Sequence, residues 1–323
     1  MPLRLVRTAE LEPAAPFHFD ATVYKPDHFP SADNESRPGV RWQTMRWEDE
    51  LFGLKLENVG TVDEPQIRLS VWAGAEPAGE LLDRLIAEVV YRYSLDLELA
   101  AFYRRARRDP RLEPVIERWR GMRPLNYSSL YEYLVIAIVL QNATARRSVQ
   151  MLQALFERYG TLLSFDGKRL YAYWPPQCLA RAPEDELRGL KVGYRARSLR
   201  RVSAAFASGA VDELALRQAP LEEQRRALLG LYGVGPASAG YILSDVFHQL
   251  DELSHISPWE QKIYSKLFFD TDPEHPVPVE RLLQLFEERF AGFRGLAVHY
   301  LWEDLFWQRR EGGAAWLEPL IRL

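Results

Sequence analysis

Residues 228–243, LLGLYGVGPASAGYIL, constrain this chain more than any other stretch. Gly233 and Gly235 flank Val234, with helix-like sequence on both sides. Two glycines around a valine permit a tight turn whose backbone a ligand can approach closely. The helix that opens after Gly235 presents amides with no partner inside the helix, and such an N-terminus suits a phosphate. Gly233, Val234 and Gly235 are therefore candidate contacts to a sugar–phosphate backbone, gripped without reading its sequence. A helix hairpin used only for packing can carry the same glycines.

Periodicity divides the remainder. Residues 17–72 read as β, with strand candidates at FHFDATVY (17–24), VRWQTMRW (40–47), LFGLKLENVG (51–60) and IRLSVWA (67–73). Residues 25–39 form a polar, proline-bearing loop between the first two. From about residue 79 the period becomes helical, and ELLDRLIAEVVYRYSL puts Leu81, Leu82, Leu85, Val89 and Tyr93 on one broad face. Proline and glycine punctuate the rest into helices joined by short loops, without repeats. The expected class is α+β and predominantly α. A small N-terminal antiparallel sheet over 1–78 precedes a helical bundle over 79–323, with the hairpin at 228–243.

Composition removes several alternatives. Cys178 is the single cysteine, which excludes an intrachain disulfide, a four-cysteine zinc site and an iron–sulfur cluster. The six histidines, His18, His28, His248, His255, His275 and His299, never fall at metal-ligand spacing, so no metal or other cofactor is expected. The longest apolar run, LVIAIVL (134–140), is far too short to span a bilayer. The N-terminal MPLRLVRTAELEP lacks the apolar core of a secretion signal, so a cytoplasmic protein is expected, nucleoid-associated if bacterial. A net charge of −4 argues against nucleic acid only on average, because binding needs one basic face. Of the 41 basic residues all but six are arginine, whose planar fork can hold two phosphate oxygens.

With the hairpin in place, the chain resembles the helix-hairpin-helix (HhH-GPD) DNA glycosylase superfamily, most closely its 8-oxoguanine glycosylase and 3-methyladenine glycosylase II branches. Tyr91–Tyr103 looks like the helix joining the β part to the α part, and Gly121-Met-Arg123 like the step before the next helix. Ile138–Asn142 falls where the family places its duplex wedge, and Leu190–Arg197 is similar to a stretch of 8-oxoguanine glycosylase. These motifs run in order over about residues 17–310, and both branches carry an N-terminal antiparallel sheet.

The resemblance implies roles. A glycosylase flips its target nucleotide out of the stack and must support the orphaned partner base. Gln141 and Asn142 are the candidates to enter the gap. Tyr194 and Arg195 match the pair that contacts the estranged base, one by stacking and one by donating hydrogen bonds. Ala237 and Tyr241 on the second hairpin helix, with Val298 and Trp302 on the C-terminal helix, are the expected walls of the base pocket. Tyr300 and Trp307 offer further aromatic faces. The arginines at 104, 105, 107, 108 and 111 read as a solvated face. Val298 replaces a base-reading glutamine of 8-oxoguanine glycosylase, so that enzyme's substrate does not carry over.

Two departures matter more. Ala237 stands where bifunctional members carry the lysine that forms a Schiff base, so lysine-based strand cleavage is not expected. In His255-Ile-Ser-Pro-Trp-Glu-Gln-Lys-Ile-Tyr264, Ser257 stands where the family's catalytic aspartate belongs. A neutral hydroxyl supplies neither the charge that stabilises an oxocarbenium-like sugar nor a base for water. Glu260 can supply the carboxylate from a shifted position; a cationic alkylated purine can leave with less help; or the chain binds DNA without cutting it. Ser257 and Glu260 also spell a capping box around Pro258. The expectation is a monomeric, monofunctional base-excision-repair glycosylase. It would hydrolyse the N-glycosidic bond of an alkylated or oxidised purine in double-stranded DNA, with Glu260 and Ser257 as catalytic candidates. A noncatalytic DNA-binding or lesion-sensing protein is the alternative.

Overall fold

Phe52, Leu54 and Leu56 alternate along one strand, Ile67, Leu69 and Val71 along the next, and all six are fully buried. That alternation builds an antiparallel sheet with one wholly apolar face. The computed structural model describes residues 1–24 and 30–320, so residues 25–29 of the expected loop, His28 among them, lie outside the described residues. The sheet comprises β1 (Arg4–Leu11), β2 (Asn34–Arg37), β3 (Val40–Trp47), β4 (Glu50–Asn58) and β5 (Ile67–Ala73), in the order β1-β5-β4-β3-β2. Its apolar face is covered by Leu82, Leu85 and Val89 of the first long helix.

The expected strand at 17–24 is instead a short helix, α1 (Phe19–Val23). His18 nucleates it, because its Nδ1 accepts from the Ala21 amide at 3.2 Å and its carbonyl accepts from the Thr22 hydroxyl at 2.8 Å. Phe17, Phe19, Ala21 and Val23 are all buried, so one helical turn mimics the alternation of a strand.

The helices that follow are α2 (Gly79–Arg92), α3 (Ala100–Ala106), α4 (Glu113–Arg118), α5 (Leu130–Leu140) and α6 (Ala145–Tyr159). A hairpin interrupts them, β6 (Thr161–Phe165) and β7 (Lys168–Ala172), turning at Asp166-Gly167 with both φ angles positive. It lies against the N-terminal sheet: the Trp42 indole donates to Asp166 at 2.7 Å, and the Phe165 ring covers Gly53 so closely that an added Cβ would sit 2.5 Å away. Then come α7 (Pro176–Arg181), α8 (Glu184–Gly189), α9 (Arg195–Ala207), α10 (Glu213–Gln218), α11 (Leu221–Leu229) and α12 (Pro236–Asp245). Last are α13 (Pro258–Phe269), α14 (Val279–Phe290) and α15 (Arg294–Arg310).

Two helical cores result. One gathers Leu134, Ile138, Leu155, Leu199, Leu228 and Ile242 from α5, α6, α9, α11 and α12. The other gathers Phe102, Ile116, Tyr264, Phe286 and Tyr300 from α3, α4, α13, α14 and α15. Each fully buried leucine or phenylalanine contributes about 1.5–3 kcal/mol relative to exposure. The facing surfaces of the two cores, α5 and α12 against α13 and α15, leave a cleft. Among the described residues no helix is long and apolar enough to cross a membrane, and no cluster of side chains could hold a metal ion.

Candidate nucleic-acid interface and base cleft

The glycine elbow joins α11 to α12 at the surface. Gly233 has φ +87°, and an added Cβ there would lie 2.9 Å from the Ser198 hydroxyl, so glycine is required on two counts. Gly235 differs: its φ is −100°, and an added Cβ meets nothing within 4 Å. Its lack of a side chain leaves bare backbone at the mouth of α12, where Pro236 occupies the first turn and no side chain caps the helix. The amides of Ala237 and Ser238 therefore face outward without an acceptor inside the helix. Tyr232 is exposed beside them, with the Arg201 and Arg197 guanidiniums 4.3 and 5.4 Å from its ring centre.

A second corner packs against the elbow. Gln141 ends α5, and its Nε2 donates to the Gly233 carbonyl at 2.8 Å. Asn142 takes a left-handed conformation, φ +49°, and its Nδ2 donates to the Tyr194 hydroxyl at 3.1 Å. Tyr194 is 57% exposed. Gln141, Asn142 and Tyr194 thus form one hydrogen-bonded ridge with the elbow, although 52 residues separate Asn142 from Tyr194 in sequence. Arg195 departs from expectation. It is only 8% exposed, lies under the Tyr194 ring, and donates to the carbonyls of Gln141 and Val192. Its guanidinium braces the corner from within instead of offering donors at the surface.

Behind the ridge lies the cleft. Ala237, Tyr241, Val298 and Trp302 all line a cavity of about 140 Å³, with Glu260 on its wall. The further aromatic faces, Tyr300 and Trp307, do not line it. The Tyr300 hydroxyl is spent on the Met122 carbonyl in the core, and Trp307 stacks on Trp119. Trp302 is flanked by Trp259, centroid to centroid 4.9 Å, and its indole donates to the Tyr264 hydroxyl at 2.8 Å.

Glu260 is 5% exposed and fully engaged. The Ser257 amide and hydroxyl donate to its Oε2 at 2.8 and 2.5 Å, and the Tyr241 hydroxyl donates to Oε1 at 3.0 Å. Ser257 and Glu260 form the capping box at the start of α13 that their spacing predicts. Burial and the neighbouring Glu260 carboxylate push the Tyr241 phenol above its ordinary range, so it stays protonated and donating.

Sequence reasoning missed the residues that open the cleft further. Asp245 and His299, with the expected Tyr241, line both this cavity and a larger one of about 520 Å³, which also takes in Tyr133, Glu303 and the expected Gln141. The Tyr133 hydroxyl donates to Asp245 Oδ2 at 2.5 Å. Ala237, Tyr241 and Asp245 recur every four residues along α12, one helical face. That recurrence was the available signal. The arginine run also resolves: Arg105 donates to the last carbonyls of α14, at Glu288 and Arg289, and Arg107 pairs with Glu117.

No protein-family profile matches the chain. Over 190 residues it is 21% identical to a DNA-3-methyladenine glycosylase of Bacillus subtilis, a match spanning 58% of this chain and 63% of that protein. The match thus spans less than two thirds of that relative's length. The solved 3-methyladenine DNA glycosylase of Archaeoglobus fulgidus superposes with a TM-score of 0.75 at 16% identity, covering 92% of this chain and 99% of that one. The chain has the fold of the helix-hairpin-helix DNA glycosylases. The 8-oxoguanine glycosylase/lyase of Clostridium acetobutylicum, solved with double-stranded DNA carrying cytosine opposite 8-oxoG, gives a TM-score of 0.69 at 16% identity. That superposition covers 95% of this chain and 99% of the other.

Proposed function

We propose that the protein is a base-excision DNA glycosylase that hydrolyses the N-glycosidic bond of a damaged, alkylated or oxidised purine flipped from duplex DNA. One observation carries the reading: an enclosed carboxylate, Glu260, shares a cavity with Tyr241 and Trp302 behind a ridge that leads from an exposed helix N-terminus. Backbone phosphate meets the amides at Gly235, Gln141 and Asn142 enter the gap, and Tyr194 stacks on the orphaned base. The flipped base lies against Tyr241 and Trp302 with Val298 beside it.

In the chemical step the C1′–N bond breaks, its electron pair leaves with the base, and water oxygen bonds to C1′. Glu260 opposes the positive charge that develops on the sugar, held in place by Ser257 and Tyr241. The proton lost by water goes to the departing base or, when that base is already cationic, to solvent. Ala237 offers no amine, so no Schiff base forms. Incubation with duplexes carrying a single alkylated or oxidised purine should yield abasic sites cut only by added alkali, with no borohydride-trapped adduct.

A second reading rests on the same helix. Glu260 serves as the capping partner of Ser257, and a carboxylate whose oxygens are occupied by three donors can be structural alone. The protein would then bind lesions without releasing them. Tight, salt-sensitive binding with intact bases across the lesion panel would select that reading.

A further inference from the structure

Beyond packing on Tyr232, the basic face of α9 has no task in the site described so far. Arg197, Arg200 and Arg201, one turn of that helix, line a cavity of about 270 Å³ with Ala180, Ala204 and a single carboxylate, Glu184. Glu184 is already paired with Arg188 at 2.6 Å and reaches Arg200 only at 4.0 Å. The cavity wall is therefore cationic in a chain whose net charge is −4. The Arg200 side chain is 40% exposed, so its guanidinium can meet an acceptor from outside.

Two of the cavity's arginines also pack against the elbow. Ser198, the neighbour of Arg197, lies directly beneath Gly233, and Arg197 and Arg201 flank the Tyr232 ring that precedes it. Four residues of helix span about 6 Å, close to two steps of a nucleic-acid strand at about 3.4 Å each. We infer that Arg197, Arg200 and Arg201 form a second sugar–phosphate contact, extending the duplex track from the glycine elbow along α9, away from the flipped nucleotide. The inference rests on the elbow's being a DNA contact. Arginine suits it, because a planar fork can take two oxygens of one phosphate while its other face lies on Tyr232.

The test is the salt dependence of binding to an undamaged duplex, followed by fluorescence anisotropy on the full chain. Each phosphate contact contributes about 0.9 to the slope of log K against log salt. R197Q/R201Q should shallow the wild-type slope by about two, and R200Q, which leaves the Tyr232 packing alone, by about one. R197K/R201K keeps the charges and should keep the slope, which separates phosphate contact from support of the elbow. Unchanged slopes in both glutamine variants, against a wild type that binds with a steep slope, overturn the inference and leave the elbow standing. A wild type with no salt-sensitive binding overturns the elbow reading, and the inference with it.

Discussion

Glutamine and alanine at position 260 separate the two tasks that the structure gives this side chain. Glu260 accepts from the Ser257 amide, the Ser257 hydroxyl and the Tyr241 hydroxyl. Alanine deletes all three acceptor contacts. Losing the cap costs about 0.5–2 kcal/mol, and leaving half-buried donors unsatisfied adds about 1–3 kcal/mol. Tyr241 is partly exposed and can regain water, so about 2–4 kcal/mol is expected for Glu260→Ala. Glutamine keeps an oxygen of the same reach, and capping boxes accept it, so Glu260→Gln should cost less than about 1 kcal/mol. Charge behaves differently, because both substitutions remove it. If the charge assists bond cleavage, both variants should slow base release by about 10²–10⁴-fold. Thermal unfolding measures the first effect, and single-turnover release from a lesion-bearing duplex the second. A Gln variant with wild-type release reduces Glu260 to a cap, and equal losses of stability in the two variants refute the hydrogen-bond reasoning.

Other substitutions test the remaining parts. Gly235→Ala should leave stability within about 0.5 kcal/mol, since its φ is ordinary and its Cβ meets open space, yet weaken duplex binding at the bare elbow. Gly233→Ala, at φ +87° against Ser198, should destabilise by about 1–2 kcal/mol, and comparable melting temperatures for the pair would contradict this. Asp245→Asn, at the junction of both cavities, should slow base release by at least about tenfold, and an unchanged rate removes it from the site. Burial, and then Arg217, pushes the His248 imidazole down to about 4 from 6.5, so the folded state binds fewer protons than the unfolded chain between those values. Stability from this group is complete above about pH 6.5 and falls as pH drops towards 4, by about 3 kcal/mol in all; His248→Phe should flatten that part of the acid-unfolding curve. A cationic N-alkylated purine should be released faster than a neutral oxidised one in single-turnover assays, and the reverse order would place more of the catalysis on the protein.

What the sequence disclosed follows from where each element's specificity resides. The strands β3, β4 and β5 were legible because aromatic, β-branched and other apolar residues run through each between turn signals, and their bounds match the expected runs within a few residues. The flanking strands were not. RLVRTAEL in β1 is mostly exposed and NESR in β2 is polar throughout, and they join the sheet through backbone pairing that leaves little trace in side-chain pattern. The β6–β7 hairpin was overlooked although Asp166-Gly167 is a strong turn signal, because helix-patterned runs enclose it on both sides. Among site residues, the elbow and the four pocket walls were readable and converge. Asp245, His299 and Glu303 were not, since a polar side chain on a helix reads as solvent-facing until α12 and α15 are brought together across the cleft. Arg195 failed for the converse reason: nothing local distinguishes an exposed guanidinium from one folded under its neighbouring tyrosine.

The exchange at the start of α13 is less of a loss than the sequence suggests. Side chains on a helix lean towards its N-terminus, so a glutamate in the first turn reaches back to the residue that caps it. Glu260 does so, and its Oε2 lies 2.5 Å from the Ser257 hydroxyl. A carboxylate at the capping position and a serine there with glutamate three residues on both place negative charge at the mouth of the same helix. Chain position changes, but spatial position shifts by about one hydrogen-bond length. The two arrangements still differ in strength. The Ser257 amide and hydroxyl and the positive end of α13 already draw on the charge of Glu260, so in the proposed reaction less of it is left to oppose charge on a sugar. A leaving group that departs readily compensates for a weaker carboxylate. This is why the identity of the released base and the effect of Glu260→Gln bear on the same quantity.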